Sequence, residues 1–407
     1  MVDTSIGDAL LAVNGGVPLR TKPFPGRKLF AEEELGFVAK VFEDSWQRGV
    51  DFGFQGKFEE LYTNAFCEFQ GGGYADAVAS GTAALFIALA TLGLDKGSEV
   101  IFSPVTDPGG IAPALMLGFT PVVADSAPGS FNIDLAEFKK AISRKTRAAV
   151  ITHLGGIPVD MDPIMEFARS KGILVIEDCS QAHGALCRGK KVGRFGDMAI
   201  FSTMFSKMHA TGGCGGLVFS EKLEYHRRAR SLADRGKAFF DDDFNPKDPG
   251  KNLFAALNLN QDELSCAIGL STLGKLERMI EKRLDIMGKI NKGIESCEAV
   301  YPIETPDYVV LSPFFITVGV DETKLTVSKK CFAEALVAEG LWVNPDYKFV
   351  VSEWDWIQKY IPRGTKTPNA TSFREKTFNI LFNERFGDGD VSDIVEGILK
   401  VERVLTA

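Results

Sequence analysis

Short apolar runs alternate with segments whose apolar residues recur at helical spacing, and this alternation constrains the fold more than any other feature of the chain. The predicted strands are 99–102, 120–124, 147–153, 173–177, 198–202 and 217–220. A helix is predicted at 81–92, before the first strand. Three more, at 111–117, 134–142 and 161–171, are predicted between successive strands of the first four. Strands that are apolar throughout and separated by helices indicate a mostly parallel sheet covered on both faces. The sequence therefore predicts an α/β fold.

The pattern changes after residue 220, which suggests a second structural unit. Residues 236–252 are rich in Asp, Lys, Pro and Gly and predict an exposed loop, and 263–292 reads as one long helix. Short predicted strands and helices follow to the end of the chain. We expect a large α/β domain over 28–275 and a smaller α+β domain over 276–407, with segment 1–27 packing nearby.

Composition excludes several classes of function. The net charge of −8 over 407 residues argues against nucleic acid as a main partner, because no overall basic field is present. No apolar run approaches the roughly 20 residues of a membrane span. The seven cysteines form no Cys-x-x-Cys pair, and the four histidines show no zinc-like spacing. We expect reduced thiols, a cytoplasmic location and no bound metal.

A candidate anion site begins at Ser80-Gly81-Thr82, where a predicted helix opens. The free N–H groups and the positive end of the helix dipole favour a bound anion. Gly81 permits close approach, and Thr82 offers a hydroxyl group. An ordinary N-cap without a ligand is the alternative.

Asp178 directly follows a predicted buried strand, and ligands of open α/β sheets bind at the carboxyl ends of strands. A carboxylate there can pair with a pyridinium nitrogen and keep it protonated. It can also cap a loop or bind a metal. His183 follows on the same loop, either as a structural hydrogen bonder or as a catalytic group.

Lys207 lies between the apolar segment 201–205 and the glycine cluster 212–216. A lysine amine with a lowered pKa is both a nucleophile and a proton carrier, which suits a Schiff base with an aldehyde. A surface lysine beside a loop is the alternative. Taken together, the amine, the carboxylate and the helix N-terminus are the minimum set that holds pyridoxal 5′-phosphate.

These motifs resemble the sugar aminotransferases named after DegT and StrS, which depend on pyridoxal phosphate. The resemblance is carried by Ser80 to Leu85, by Ile176 to Gly184, by Phe195-Gly196-Asp197, by Phe201 to Lys207 and by Asn258 to Leu264. It implies fold type I, the aspartate aminotransferase architecture, with a mostly parallel seven-stranded sheet flanked by helices.

The resemblance also assigns roles. Lys207 would form the Schiff base, Asp178 would pair with the pyridine nitrogen, and Gln181 would contact the ring hydroxyl. The phosphate would be held by Gly81, Thr82 and Ser202, with Asn258 reaching the phosphate of a neighbouring subunit. The resemblance thus implies a homodimer with shared active sites.

Three positions depart from the family pattern. Asp107 follows Pro104-Val105-Thr106 where the family has an aromatic residue that stacks on the cofactor ring. Cys214 replaces an acidic residue, and Asn260 replaces an arginine. These departures suggest an unusual substrate or ring environment, and Asp107 and His183 are the candidate substrate contacts.

The resulting prediction is an aminotransferase for amino-sugar biosynthesis. It would move an amino group from an amino acid, expected to be L-glutamate, to a keto sugar, expected to be linked to a nucleotide. One alternative is a sugar dehydratase of the same fold, although such relatives carry histidine in place of the lysine at 207. A pyridoxal-phosphate-binding regulator without turnover is the other.

Overall fold

The computed structural model describes residues 10–406. Its strands are β1 (Tyr74–Val78), β2 (Glu99–Phe102), β3 (Thr120–Val123), β4 (Thr146–Thr152), β5 (Leu174–Asp178), β6 (Leu186–Cys187), β7 (Lys190–Lys191), β8 (Met198–Ser202), β9 (Gly216–Ser220), β10 (Val300–Pro302), β11 (Val309–Val310), β12 (Ile316–Val320), β13 (Val343–Asn344) and β14 (Thr377–Ile380). Its α-helices are α1 (Glu32–Arg48), α2 (Lys57–Gln70), α3 (Gly81–Thr91), α4 (Ala112–Met116), α5 (Leu135–Ala141), α6 (Met161–Ser170), α7 (Leu223–Ala233), α8 (Glu263–Leu273), α9 (Leu276–Gly293), α10 (Lys329–Ala338), α11 (Pro368–Glu375) and α12 (Asp388–Leu405).

The central sheet has seven strands in the order β1-β9-β8-β5-β4-β2-β3. All neighbouring pairs from β8 to β3 are parallel, and β9 runs antiparallel to both β8 and β1. The predicted α/β fold with a mostly parallel seven-stranded sheet is confirmed. Sequence reading missed β1 as a strand, because its apolar residues are interrupted by Asp76.

Both faces of this sheet are buried, which explains why its strands read as continuous apolar runs. On β8, Met198 and Ile200 pack on one face with α3, while Ala199 and Phe201 pack on the other with α2 and α8. All four side chains are essentially inaccessible to solvent. Residues of β2, β4 and β5 alternate in the same way between the face that packs with α3 and the face that packs with α6. Burial on both faces fixes the carboxyl ends of the strands, where the site lies.

The predicted single helix over 263–292 is wrong, since two helices occupy this range. Helix α8 ends at Leu273 and α9 begins at Leu276. Gly274 and Lys275 separate them, and Lys275 has φ −102° and ψ −11°, outside regular α-helical geometry. Glycine is a poor helix former, so a break at this point has a local cause.

A four-stranded antiparallel sheet, β10-β12-β14-β13, follows in the C-terminal part. It shares one apolar core with α9, α10 and α12, and Leu11 of the N-terminal segment packs into this core. The first turns of α9 instead pack on the large sheet through Leu276 and Met279. Because α9 contributes to both cores, the predicted division into 28–275 and 276–407 stays a prediction.

Strands β6, β7 and β11 form a small separate sheet. Within residues 10–406, no helix combines the length and the apolar character needed to cross a membrane.

Candidate active site

A cavity of about 290 Å³ lies at the carboxyl ends of β4, β5 and β8, where the rule for open α/β sheets places ligands. It brings together most of the predicted site residues. Its lining includes Gly81, Thr82, Asp107, Asp178, Gln181, Ser202 and Lys207.

The N-terminus of α3 forms one wall of the cavity. Ser80 caps the helix, its Oγ accepting a hydrogen bond from the Ala83 N–H at 3.0 Å. The N–H groups of Gly81 and Thr82 belong to the first turn, where no helical carbonyl is available to them. A Cβ atom at Gly81 would lie 2.6 Å from Ser202 Cβ, so only glycine permits this approach of the helix to β8. The wall therefore presents backbone donors and the positive end of a dipole.

Lys207 extends from the loop after β8, and its Nζ lies 4.9 Å from the centre of the Phe314 ring. Burial lowers the pKa of the Lys207 amine below its usual value, while the charges of Asp178 and Asp107 oppose this shift. The amine is neutral at a lower pH than that of an exposed lysine. It thereby meets the first requirement of a nucleophile.

Asp178, the last residue of β5, is buried at the base of the cavity. Its Oδ1 accepts a hydrogen bond from the Ser180 N–H at 3.0 Å. Burial raises the pKa of the carboxyl group, and hydrogen bonds from Ser180 and the charge of Lys207 act in the opposite direction. A buried carboxylate in this position is stabilised by a cationic ligand.

Gln181 is oriented by two neighbours. Its Oε1 accepts from the Gly155 N–H at 2.9 Å, and its Nε2 lies 3.4 Å from the Tyr347 hydroxyl oxygen. Burial raises the pKa of Tyr347 to about 12, so the phenol stays protonated. Sequence reading missed Tyr347, because no motif surrounds it and only the fold brings it to Gln181.

Asp107 lines the cavity, and its Oδ1 accepts from the Gly109 N–H at 2.8 Å. It thereby caps the short 3₁₀ turn Pro108–Gly110. The side chain remains exposed, so the hydrogen bond leaves part of the carboxylate open to the cavity. The charge of Asp107 acts on both Lys207 and Tyr347.

Two predicted site residues lie outside the cavity. His183 is buried between the rings of Phe201 and His209, and its ring nitrogens have no hydrogen-bond partner among the described residues. Burial holds its pKa well below the usual value, so the ring is neutral. Asn258 is exposed, and its Oδ1 accepts from Asn260 Nδ2 at 2.6 Å. Within one subunit the structure does not bring either residue to the cavity.

A buried group behind Asp178, formed by His153, Glu177 and Cys179, has ligand atoms within 4.8 Å of one another. However, Glu177 already accepts from the N–H groups of Gly193, Phe195 and Gly196. His153 Nδ1 accepts from the Val159 N–H, which leaves Nε2 to donate to Glu177 at 3.1 Å. Hydrogen bonds within the protein thus engage the ligand atoms of His153 and Glu177.

The donor set fits pyridoxal phosphate. The α3 N-terminus with Thr82 and Ser202 suits a phosphate, Asp178 suits a pyridinium nitrogen, and the amine of Lys207 suits an aldehyde. These groups line one cavity although they come from three distant parts of the chain.

Comparison with known proteins agrees with a site for pyridoxal phosphate. The DegT/DnrJ/EryC1/StrS aminotransferase family matches residues 32–399. The L-glutamine:2-deoxy-scyllo-inosose aminotransferase of Micromonospora echinospora is 35% identical over 58% of this chain and 56% of its own length. The GDP-perosamine synthase of Escherichia coli O157:H7 is 30% identical over 66% of this chain and 70% of its own length. An aminotransferase structure from Psychrobacter cryohalolentis superposes with a TM-score of 0.85 at 25% identity, covering 92% of this chain and 98% of the other.

Proposed function

Because the chain belongs to the DegT/DnrJ/EryC1/StrS aminotransferase family, as its motifs predicted, we propose that it transfers an amino group through pyridoxal phosphate held on Lys207. Members of this family depend on that cofactor, and the chain is a sugar aminotransferase. The observation that carries the proposal is the convergence of Lys207, Asp178 and the α3 N-terminus on one cavity.

Bound pyridoxal phosphate would supply an aldehyde and a ring that accepts electrons. The N–H groups of Gly81 and Thr82, with the hydroxyl of Ser202, would hold the phosphate. Asp178 would hold the proton of the ring nitrogen, and the positive charge there would offset the cost of burying the carboxylate. Gln181, oriented by Gly155 and Tyr347, would hold the ring hydroxyl.

Lys207 has two tasks in this proposal. Its Nζ would hold the cofactor covalently between turnovers, and during turnover it would move a proton to or from the substrate carbon. Burial favours the neutral amine that the second task requires. The presence of lysine at 207 supports amino transfer over the dehydratase alternative, and the complete set of Lys207, Asp178 and the α3 N-terminus supports turnover over a regulatory role.

We propose an amino acid as the donor and a keto group on a polyhydroxylated ring as the acceptor. L-glutamate is the predicted donor, while the names of inosose aminotransferase relatives specify L-glutamine. Relatives are named for an inosose and for a GDP-linked sugar, so linkage of the acceptor to a nucleotide stays a prediction.

A screen of donors against acceptors tests this proposal. The chain loaded with pyridoxal phosphate is incubated with L-glutamate, L-glutamine or L-alanine and with free keto cyclitols or nucleotide-linked keto sugars, and mass spectrometry detects the aminated product. We expect amination of one acceptor class with L-glutamate or L-glutamine. Borohydride reduction followed by peptide mapping should place the cofactor on Lys207, and a label on another lysine would contradict the proposed site.

We also propose a cytoplasmic homodimer with shared active sites. Asn258 is exposed on the outside of its own subunit, which leaves its side chain available to a neighbour. Large exposed apolar side chains lie on α1, at Leu35 and Trp46, and near Asn258, at Leu253 and Leu257. Apolar surface of this kind supports association with a second copy.

A further inference from the structure

A buried carboxylate, Glu384, bridges two arginines behind the segment that carries Lys207. Arg27 Nε donates to Glu384 Oε1 at 2.8 Å, and Arg283 Nε donates to Glu384 Oε2 at 3.1 Å. The exposed fractions of the Glu384 and Arg283 residues are only 8% and 3%. Both carboxylate oxygens are therefore engaged, one with the N-terminal segment and one with α9.

The other two nitrogens of the Arg27 guanidinium bind the backbone at Lys207 and Met208. Its Nη1 donates to the carbonyl of Lys207, and its Nη2 donates to the carbonyl of Met208 at 2.6 Å. A planar guanidinium offers its donors in a fixed fork, so the two bonds to these carbonyls, together with the bond to Glu384, fix the orientation of this backbone.

Arg283 binds the backbone of the segment that carries Phe314. Its Nη1 donates to the carbonyls of Pro313 and Phe314 at 3.0 and 3.3 Å. The Phe314 ring is the one that lies 4.9 Å from Lys207 Nζ. Phe314 N–H in turn donates to the carbonyl of Gly155, which orients Gln181 through its own N–H.

We propose that Glu384 is a positioning residue for Lys207. By binding Arg27 and Arg283 together, it fixes the backbone of Lys207 and the backbone of Phe314, whose ring faces the amine. Buried ion pairs contribute little net stability compared with apolar packing, but an apolar side chain could not align two guanidinium forks on four carbonyls. The inference rests on the proposed role of Lys207 as the cofactor lysine.

The test compares Glu384→Gln with Glu339→Gln. Glu339 is a matched control, because it is fully buried, pairs with Lys400 at 2.7 Å, accepts from two backbone N–H groups and makes no contact with Lys207. Each variant is loaded with pyridoxal phosphate. Three properties are measured: thermal unfolding, the pH midpoint of the visible absorbance without substrate, and the single-turnover rate with L-glutamate or L-glutamine.

We expect both variants to unfold at a lower temperature than the wild type. Only Glu384→Gln should shift the absorbance midpoint, by about half a pH unit or more, because the Lys207 backbone and the Phe314 backbone lose the carboxylate that holds their two arginines. Asp178 and Asp107, whose charges also face the amine, and His183, which lies near it, are unchanged in both variants. The saturating rate should fall about tenfold or more through misplacement of the amine, with little change in the half-saturating donor concentration.

If Glu384→Gln does not fold, Arg27→Lys tests the same positioning role. Lysine keeps the charge next to Glu384 but cannot bond the carboxylate and two carbonyls in a fork, so the saturating rate should fall in the same way. An unchanged midpoint and rate in the folded variants, or equal changes in Glu339→Gln, would overturn the proposal. A borohydride label on a lysine other than Lys207 would overturn it together with the proposed site, whereas a label on Lys207 with unchanged midpoints would leave the site intact.

Discussion

Asp178 has a different energetic role with and without the cofactor. Burial raises the pKa of its carboxyl group, so the ionised form is unfavourable until a cation lies beside it. Asp178→Asn removes that charge at almost constant shape. We expect turnover to fall about a hundredfold or more, because asparagine cannot hold a pyridinium proton.

The same change should leave the chain without cofactor at least as stable as the wild type near neutral pH, because the raised pKa makes the ionised carboxylate destabilising there. Urea unfolding of the two apoproteins measures this. A clear loss of stability, or activity within a few-fold of the wild type, would contradict this account of Asp178.

Asp107 is one of the three positions at which the sequence departs from the family pattern. We expect the carboxylate to face the acceptor, and Asp107→Asn isolates this role because an amide oxygen can still accept from the Gly109 N–H. The acceptor half-reaction should slow by about tenfold or more, the loss typical of one hydrogen bond to a charged group. The donor half-reaction should change little, as single-turnover measurement of each half-reaction will show.

Asp107→Phe completes this test. It restores the family's aromatic residue and removes the cap of the turn at 108–110, at a cost of about 1 kcal/mol in stability. Cofactor affinity should equal or exceed that of the wild type, while activity on the native acceptor is lost. A simultaneous fall of both half-reactions with loss of the cofactor would show that Asp107 supports the cofactor instead.

Sequence predicted those site residues that lie next to the strands and helices carrying the fold. Asp178 and Ser202 end apolar strands, and Gly81 opens a helix, so their neighbourhood in space follows from a parallel sheet. Tyr347 and Glu384 were not predicted, because their partners Gln181 and Arg27 are distant in the sequence. Such contacts depend on how the C-terminal part docks, which local periodicity does not record.

At the scale of elements, the packing of α2 on α8 and β1 buries several carboxylates. Burial, together with the charges of Asp76 and Glu263, raises the pKa of Glu59 to about 8. Burial raises the pKa of Asp76 to about 6. An acid whose pKa is raised on folding stabilises less as the pH rises from its unfolded pKa through its folded pKa. The contribution of Glu59 should therefore lower the free energy of unfolding as the pH rises from about 4.5 to about 8.

Glu59→Gln should relieve this loss. Its amide oxygen can still accept from the Gln55 N–H, which Glu59 Oε2 bonds at 2.7 Å. We expect the free energy of unfolding to rise by about 1 kcal/mol or more at pH 8.5, with little change at pH 5. Glu60→Gln, at the exposed neighbouring position on α2, is the control and should have little effect at either pH. Urea unfolding at both pH values gives the comparison, and equal effects of Glu59→Gln at pH 5 and pH 8.5 would refute the electrostatic explanation.

At the scale of the whole molecule, the exposed position of Asn258 leads to a specific prediction about how two subunits share their active sites. If Asn258 completes the site of a neighbour, a Lys207→Ala chain and an Asn258→Ala chain, each inactive alone, should complement each other. In a hybrid dimer one site carries both defects and the other carries neither. Equal mixing makes half of the dimers hybrid, so about a quarter of the wild-type activity should return. Lys207→Ala mixed with Asp178→Asn is the control, because both defects affect the site of their own chain and no intact site forms. Proven subunit exchange without recovery in the first mixture would mean that Asn258 does not act across the interface.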